Sequence, residues 1–260
     1  MRIALNLNVL GKENVLPINY QYELASWLYK TIHFANPGFS DWLHQNGYSY
    51  ENKRFKHFTF SNLNIPQRKV QSDRIVLLNG KARLLVSFSV NKSLQTFIYG
   101  MFQKQAFTLG DKKSQVQFEI RQVESLPEPL FKPEKKYTFQ ALSPICVSVQ
   151  GDDNAHAQYL SPDDPRFEQG LSSNLRNKFA SLFGTENLNG DSLKMRLHGV
   201  QGPKSRLVKI KADTTQQSFI RGYTFRFTLE GSARLIRMAY NAGIGEKNSL
   251  GFGCIEEVGA

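Results

Sequence analysis

One order of secondary-structure signals occurs twice in this chain, and few folds accommodate it. In the first half, Ile3, Leu5, Leu7 and Val9 alternate with polar or small neighbours, the period of a half-buried strand. Asn19 can cap a helix whose apolar stripe is Tyr20, Leu24, Trp27, Leu28 and Ile32, and Asn36, Pro37 and Gly38 stop it. A short helical turn is predicted over 39–45, and strands over 55–63, 74–78 and 84–90. A helix over 93–105 and a strand carrying Val116, Phe118 and Ile120 complete the set. The second half repeats the plan. Ile145, Val147 and Val149 alternate, a helix is predicted over 165–183, and strands follow at 193–198, 206–211 and 223–229. A helix over 232–242 and a short strand over 252–258 close the unit. The order β-α-β-β-α-β is that of the ferredoxin-like, split βαβ motif. The expected fold is therefore α+β, two tandem ferredoxin-like domains. The Pro- and charge-rich stretch LPEPLFKPEKK at 126–136 serves as linker, which divides the chain into 1–128 and 129–260.

Composition narrows the function classes. With 40% apolar and 12% aromatic residues among 260, the chain can bury a substantial core, so disorder is not its main state. Thirty-three Lys and Arg against 22 Asp and Glu leave a net charge of +11, which favours a polyanionic partner such as nucleic acid or an anionic membrane surface. No segment approaches the roughly 18 uncharged apolar residues of a membrane span, and the first strand follows Met1 directly, so the expected compartment is the cytosol and no membrane contact is expected. Cys146 and Cys254 form no CxxC pair, which supports neither a disulfide framework nor a cysteine zinc site. Asp152-Asp153 and Asp163-Asp164 lie in Gly- and Pro-flanked loops, so no metal site and no cofactor are expected.

Three groups of residues can carry function. GIGEKNSLGFG at 243–253 sets four glycines between a predicted helix and the last strand, where exposed amides could approach phosphate oxygens and Lys247, Asn248 and Ser249 add donors. Its spacing is neither a P-loop nor a dinucleotide fingerprint, and a structural turn explains it equally well. The predicted hairpin 193–211 carries Lys194, Arg196, Lys204, Arg206, Lys209 and Lys211 with no Asp or Glu. Leu193, Met195 and Leu197 take one face of its first strand and Lys194, Arg196 and His198 the other, a ribbon that could follow a phosphate backbone or simply be a solvated sheet surface. Finally, Tyr29, His33, His44, Lys56 and His57 cluster in the first domain, and a histidine titrating near neutral pH is the usual proton shuttle. From residue types alone, any one of these histidines is as readily a surface or core hydrogen-bonding group.

Taken together, the chain resembles the CRISPR-associated repeat-processing endoribonucleases, the sixth Cas protein family of the RAMP superfamily, over nearly its full length. The glycine-rich GIGEKNSLGFG matches that family's GxGxxxxxGxG loop with an aromatic between the last two glycines, and LSPICV at 142–147 also resembles family members. The resemblance implies metal-independent cutting of the repeats of precursor CRISPR RNA. A ribose 2′-OH attacks the adjacent phosphate, leaving 2′,3′-cyclic phosphate and 5′-OH ends. One branch of the family uses a Tyr, His and Lys set. Trp27-Leu-Tyr29, Trp42-Leu-His44 and Lys56-His-Phe-Thr-Phe-Ser61 match its three segments in order, which implies His44 for proton transfer, Tyr29 as its partner at the 2′-OH and Lys56 for phosphate charge. His33 is the main rival to His44, His57 a more distant one, and Lys53 competes with Lys56. The family also implies RNA contacts from Lys247, Asn248 and Ser249 and from the basic hairpin. The implied partners are the precursor and processed repeat RNA and a CRISPR effector complex, bound as monomer or homodimer. The competing readings are a non-catalytic RNA-binding RAMP subunit of such a complex and a nucleotide-dependent enzyme.

Overall fold

The computed structural model describes residues 1–151, 157–185, 195–212 and 214–259. The first half forms β1 (Arg2–Leu10), β2 (Val15–Pro17), α1 (Gln21–Ala35), α2 (Pro37–Gln45), β3 (Tyr48–Tyr50), β4 (Lys53–Phe55) and β5 (Phe58–Phe60). It continues with β6 (Arg68–Gln71), β7 (Arg74–Leu77), β8 (Lys81–Phe88), α3 (Asn91–Gln103), β9 (Ala106–Gly110) and β10 (Gln115–Leu126). Its main sheet has the order β5-β8-β1-β10-β9, all neighbours antiparallel. Without the added edge strand β9, this is the strand order of a ferredoxin-like sheet, and the three-stranded β2-β7-β6 and the pair β3-β4 are insertions on it.

The second half forms β11 (Tyr137–Ala141), β12 (Ser148–Gln150), β13 (Ala157–Tyr159), α4 (Arg166–Phe183), β14 (Met195–Ile210), β15 (Ser218–Gly231), α5 (Ala233–Ala242) and β16 (Ile255–Glu257). The sheet order β14-β15-β11-β16 is again ferredoxin-like. Two main cores result, with a smaller cluster of Cys146, Val208, Ile220 and Phe252 beside them. Leu5, Leu7, Leu28, Phe58, Phe97 and Phe118 are among those that fill the first, and Phe139, Phe167, Leu171, Phe227 and Ile236 belong to the second. Each such side chain contributes about 1.5–3 kcal/mol on leaving water. No helix among the described residues is long and apolar enough to cross a membrane.

Several sequence expectations need correction. Asn19 does not cap α1, whose N-cap position is Tyr20. The Tyr20 hydroxyl instead accepts the Leu63 amide at 2.8 Å. Asn36 ends α1 and also starts α2, its side chain accepting from the Phe39 amide at 2.9 Å with Pro37 at the first helical position. The run 55–63 is broken at His57, whose φ of 54° ends the line between β4 and β5. β1 is not half-buried at its start. Arg2 and Ala4, on the face opposite Ile3 and Leu5, are covered as well, with Arg2 donating to the Tyr240 carbonyl at the end of α5 at 2.5 Å.

The largest revisions fall in the second half. Its first sheet strand is β11, hidden in the sequence directly behind the charged linker. Ile145, Cys146 and Val147 are buried on both faces and make a single bridge to Tyr223 rather than a central strand. The predicted basic hairpin is one 16-residue strand, β14, paired along β15. Gly199 and Gly202, both at φ 56°, produce two bulges where register shifts between His198, Gln201 and Lys204, and no turn forms.

Candidate active site

α1 and α2 lie side by side, and β4 returns beneath the end of α2. That arrangement brings together Tyr29, His44 and Lys56. The Tyr29 ring meets the His44 ring edge-on, with centroids 5.4 Å apart and planes at 81°, and is backed by Phe58 at 5.5 Å. His44 occupies the exposed last turn of α2. The Lys56 ammonium donates to the carbonyls of Leu43 and of His44, the latter at 2.7 Å. These carbonyls are left free at a helix C-terminus, the negative end of its dipole. Gly47 permits this approach, because at φ 62° a Cβ there would stand 2.6 Å from the Phe55 carbonyl and 3.1 Å from the Lys56 nitrogen.

Burial sets the protonation of two members. Tyr29, largely buried, has its pKa raised by that burial to about 12, against a smaller opposing influence of Ser249, and is a neutral phenol at pH 7. Lys56 is lowered to about 8, chiefly by burial and secondarily by neighbouring Arg54, and remains mostly cationic at neutral pH.

The rival residues have other surroundings. His33 is exposed on α1, with Nδ1 3.5 Å from an Asp41 oxygen on α2. His57 is 3% exposed, with Nε2 2.9 Å from Ser181 Oγ, and burial with nearby Lys178 lowers it to about 3, so it stays neutral inside the protein. Lys53 is exposed on β4. Lys53 and Lys56 line one wall of a cleft of about 580 Å³ between the two halves, and Ser148, Gln150 and Lys247 stand on the other side.

The glycine loop 243–253 forms the inner boundary of this cleft and is not an open cradle of amides. Gly243, Ile244 and Gly245 are buried, as are Gly251, Phe252 and Gly253. The Ile244, Glu246 and Gly253 amides donate to the carbonyls of Gly253, Cys146 and Pro144. Asn248, expected to contact RNA, is 9% exposed and its amide clamps the carbonyls of Ile244 and Phe252 at 3.1 and 3.0 Å. Lys247 alone in the loop is exposed, and the turn that carries half-buried Ser249 packs against α1.

Along β14 the basic residues do not share one face. Lys194 lies outside the described residues. Arg196 and Lys204 are exposed. Arg206 shares its face with buried Val208 and turns inward, donating to the Ile18 carbonyl at 2.8 Å and to Asn62 Oδ1 at 3.4 Å in the first half. Lys209 and Lys211 fall on the opposite face, Lys209 with its ammonium 5.9 Å from the centre of the Phe219 ring and Lys211 bonded to Gln216. Of the acidic pairs, Asp164 is bound by the Arg166 guanidinium at 2.8 Å, and Asp152-Asp153 lie outside the described residues.

One residue at this site was not anticipated. Lys178 is buried in α4 and donates to the carbonyls of Gly243 and Gly245 at 2.7 and 2.8 Å. The signal was present. Asn174 and Lys178 occupy the buried side of α4 beside Leu171 and Leu175, where an amphipathic helix should carry apolar groups.

Comparison with known proteins covers the whole chain. Residues 15–124 match the family described as CRISPR-associated protein Cas6, N-terminal, and residues 126–257 match CRISPR associated protein Cas6, C-terminal. The chain is 32% identical over 264 residues to CRISPR-associated endoribonuclease Cas6 1 of Methanocaldococcus jannaschii, covering 99% of this chain and 93% of that one. A solved structure described as CRISPR associated protein Cas6 superposes with TM-score 0.78 at 31% identity over 100% of this chain and 99% of the other. The product of a Cas6-related gene from Pyrococcus furiosus gives TM-score 0.83 at 25% identity, over 99% and 98%.

Proposed function

Because the chain belongs to the Cas6 family of CRISPR-associated proteins, we propose that it is an endoribonuclease that cuts the repeats of precursor CRISPR RNA in the cytosol at the site formed by Tyr29, His44 and Lys56. The observation that carries this reading is the meeting of those three residues, the Tyr29 ring against the His44 ring and the Lys56 ammonium on the His44 carbonyl, with Lys56 also lining the cleft that Lys53 and Lys247 share.

The nucleophile belongs to the RNA. The ribose 2′-oxygen forms a bond to phosphorus, the bond from phosphorus to the 5′-oxygen breaks, and the ends are a 2′,3′-cyclic phosphate and a 5′-hydroxyl. His44, exposed on the last turn of α2, transfers the proton lost by the 2′-OH or gained by the 5′-oxygen. Tyr29 is held protonated by burial, so it orients the 2′-OH through a hydrogen bond and does not act as the base. Lys56 has two of its three N–H groups on the helix carbonyls, which leaves one for the charge that builds on the phosphate. With nucleophile and charge stabilisation both supplied, the reaction requires no metal. Exposed Arg196, Lys204, Lys211 and Lys247 provide contacts to the RNA backbone, joined by half-buried Lys209.

The test is to incubate the protein in excess EDTA with the repeat RNA encoded beside it, map the new ends, and repeat with a 2′-deoxy nucleotide at the mapped site. Cyclic phosphate ends that vanish with the 2′-deoxy substrate are expected. Binding with no cutting would overturn the enzyme reading and make the chain an RNA-binding subunit.

A further inference from the structure

α4 is amphipathic, and its buried side is filled by Phe167, Leu171, Leu175 and Phe179. Lys178 falls on that side, 3% exposed, and no carboxylate among the described residues forms an ion pair with it. Glu246 is the acid that acts on it, yet its oxygens accept from the amide and hydroxyl of Ser148. The other titratable group facing it is His57, which burial keeps neutral. Taking an ammonium out of water is costly, and a methionine would pack in its place at less expense to stability. What Lys178 gains for the molecule is two hydrogen bonds to the carbonyls of Gly243 and Gly245.

Those two carbonyls belong to the first turn of the glycine loop, and Asn248 holds the carbonyls of Ile244 and Phe252 in the same way. The loop thus hangs on two side chains, one from α4 behind it and one from its own tip. Thr59, in the middle of β5, is a third such side chain, donating to the Phe252 carbonyl at 2.9 Å. The turn that carries Ser249 packs against α1, and Ser249 is the loop side chain that acts on the Tyr29 hydroxyl.

We infer that Lys178 is a positioning residue for RNA cleavage, holding the glycine loop so that Ser249 fixes the Tyr29 hydroxyl against the ribose. The inference rests on the reading of Tyr29 given above. It gives Ser249 a role in aligning the site, in place of the RNA contact expected from the sequence. A small misplacement of a reacting or orienting group lowers a rate far more than it lowers binding.

The experiment compares single-turnover cleavage and repeat-RNA binding for wild type, Lys178→Met, Lys178→Arg, Ser249→Ala and the double variant Lys178→Met/Ser249→Ala. Lys178→Met and Ser249→Ala are each expected to slow cleavage by about 10- to 100-fold while the dissociation constant stays within about threefold. The double variant should be no slower than the slower single, because both changes remove the same alignment. Lys178→Arg, which keeps charge and donors, should recover part of the rate. If Lys178→Met does not fold, Lys178→Gln takes its place in the cycle, with one donor retained. Multiplicative losses in the double variant, or a loss confined to binding, would overturn the inference. Wild-type rates in the Lys178 variants would do so as well. A wild-type protein that binds but never cuts would instead remove the functional reading beneath it, so the two failures are distinct.

Discussion

Lys56 and His57 are adjacent in sequence and face opposite environments. Lys56 reaches the end of α2 at the cleft, whereas His57, at φ 54°, turns its ring into the seam with α4. Sequence patterns do not distinguish His33, His44 and His57, because the difference between them is burial, and burial depends on helices that meet only in the folded chain. The family motif points to Tyr29, His44 and Lys56, which the structure brings together, whereas His57 is buried against Ser181 and His33 faces Asp41. One prediction belongs to this scale. Lys56 has its pKa lowered from 10.5 to about 8, so its positive charge is present below that value and lost as pH rises through it. The contribution of Lys56 to cleavage should therefore fall away on the alkaline side of about pH 8. Lys56→Arg should retain activity at pH 9 to 10 relative to its own neutral rate, since a guanidinium stays charged there. Lys56→Met should be slow at every pH, and parallel pH profiles for wild type and Lys56→Arg would contradict the assignment.

At the scale of elements, alternation and amphipathic stripes made the helices legible and left the irregular strands obscure. β11 was hidden because Tyr137, Phe139 and Ala141 follow a lysine-rich linker, and buried Ile145 and Val147 imitated the strand it forms. β14 read as a hairpin because glycines at 199 and 202 suggest a turn, and a bulge uses the same positive φ. The glycine loop was found by its composition, yet its glycines serve close packing more than phosphate access. Gly251, at φ 87°, lies so near the Phe60 ring that a Cβ would stand 2.6 Å from it, and Phe60 is fully buried. Gly251→Ala should destabilise the protein by about 1–3 kcal/mol, seen as a lower denaturant midpoint with unchanged slope. It should also slow cleavage, since the displaced loop carries Ser249. An unchanged midpoint would contradict this packing role.

For the whole molecule, the two ferredoxin-like halves are joined by buried polar contacts on both sides of the cleft. Arg2 reaches Tyr240, Thr59 reaches Phe252, the Asn62 amide reaches Leu142, and Arg206 reaches Ile18. This divides the positive charge into cations that hold the halves together and cations free to meet RNA, a division that net charge alone conceals. Arg206→Ala should lower the unfolding midpoint and leave the salt dependence of RNA binding nearly unchanged. Lys204→Ala should do the reverse, reducing the slope of log affinity against log salt by up to about 1. Equal effects of both variants on that slope would mean that Arg206 also contacts RNA. The account as a whole depends on His44. The most direct measurement is single-turnover cleavage of the repeat RNA by wild type, His44→Ala, His33→Ala and His57→Gln, with binding followed in parallel. The expected result is a loss of about 10²- to 10⁴-fold in His44→Ala with affinity retained, and near wild-type chemistry in folded His33→Ala and His57→Gln. A His44→Ala protein that cuts at the wild-type rate would contradict the assignment of the catalytic site.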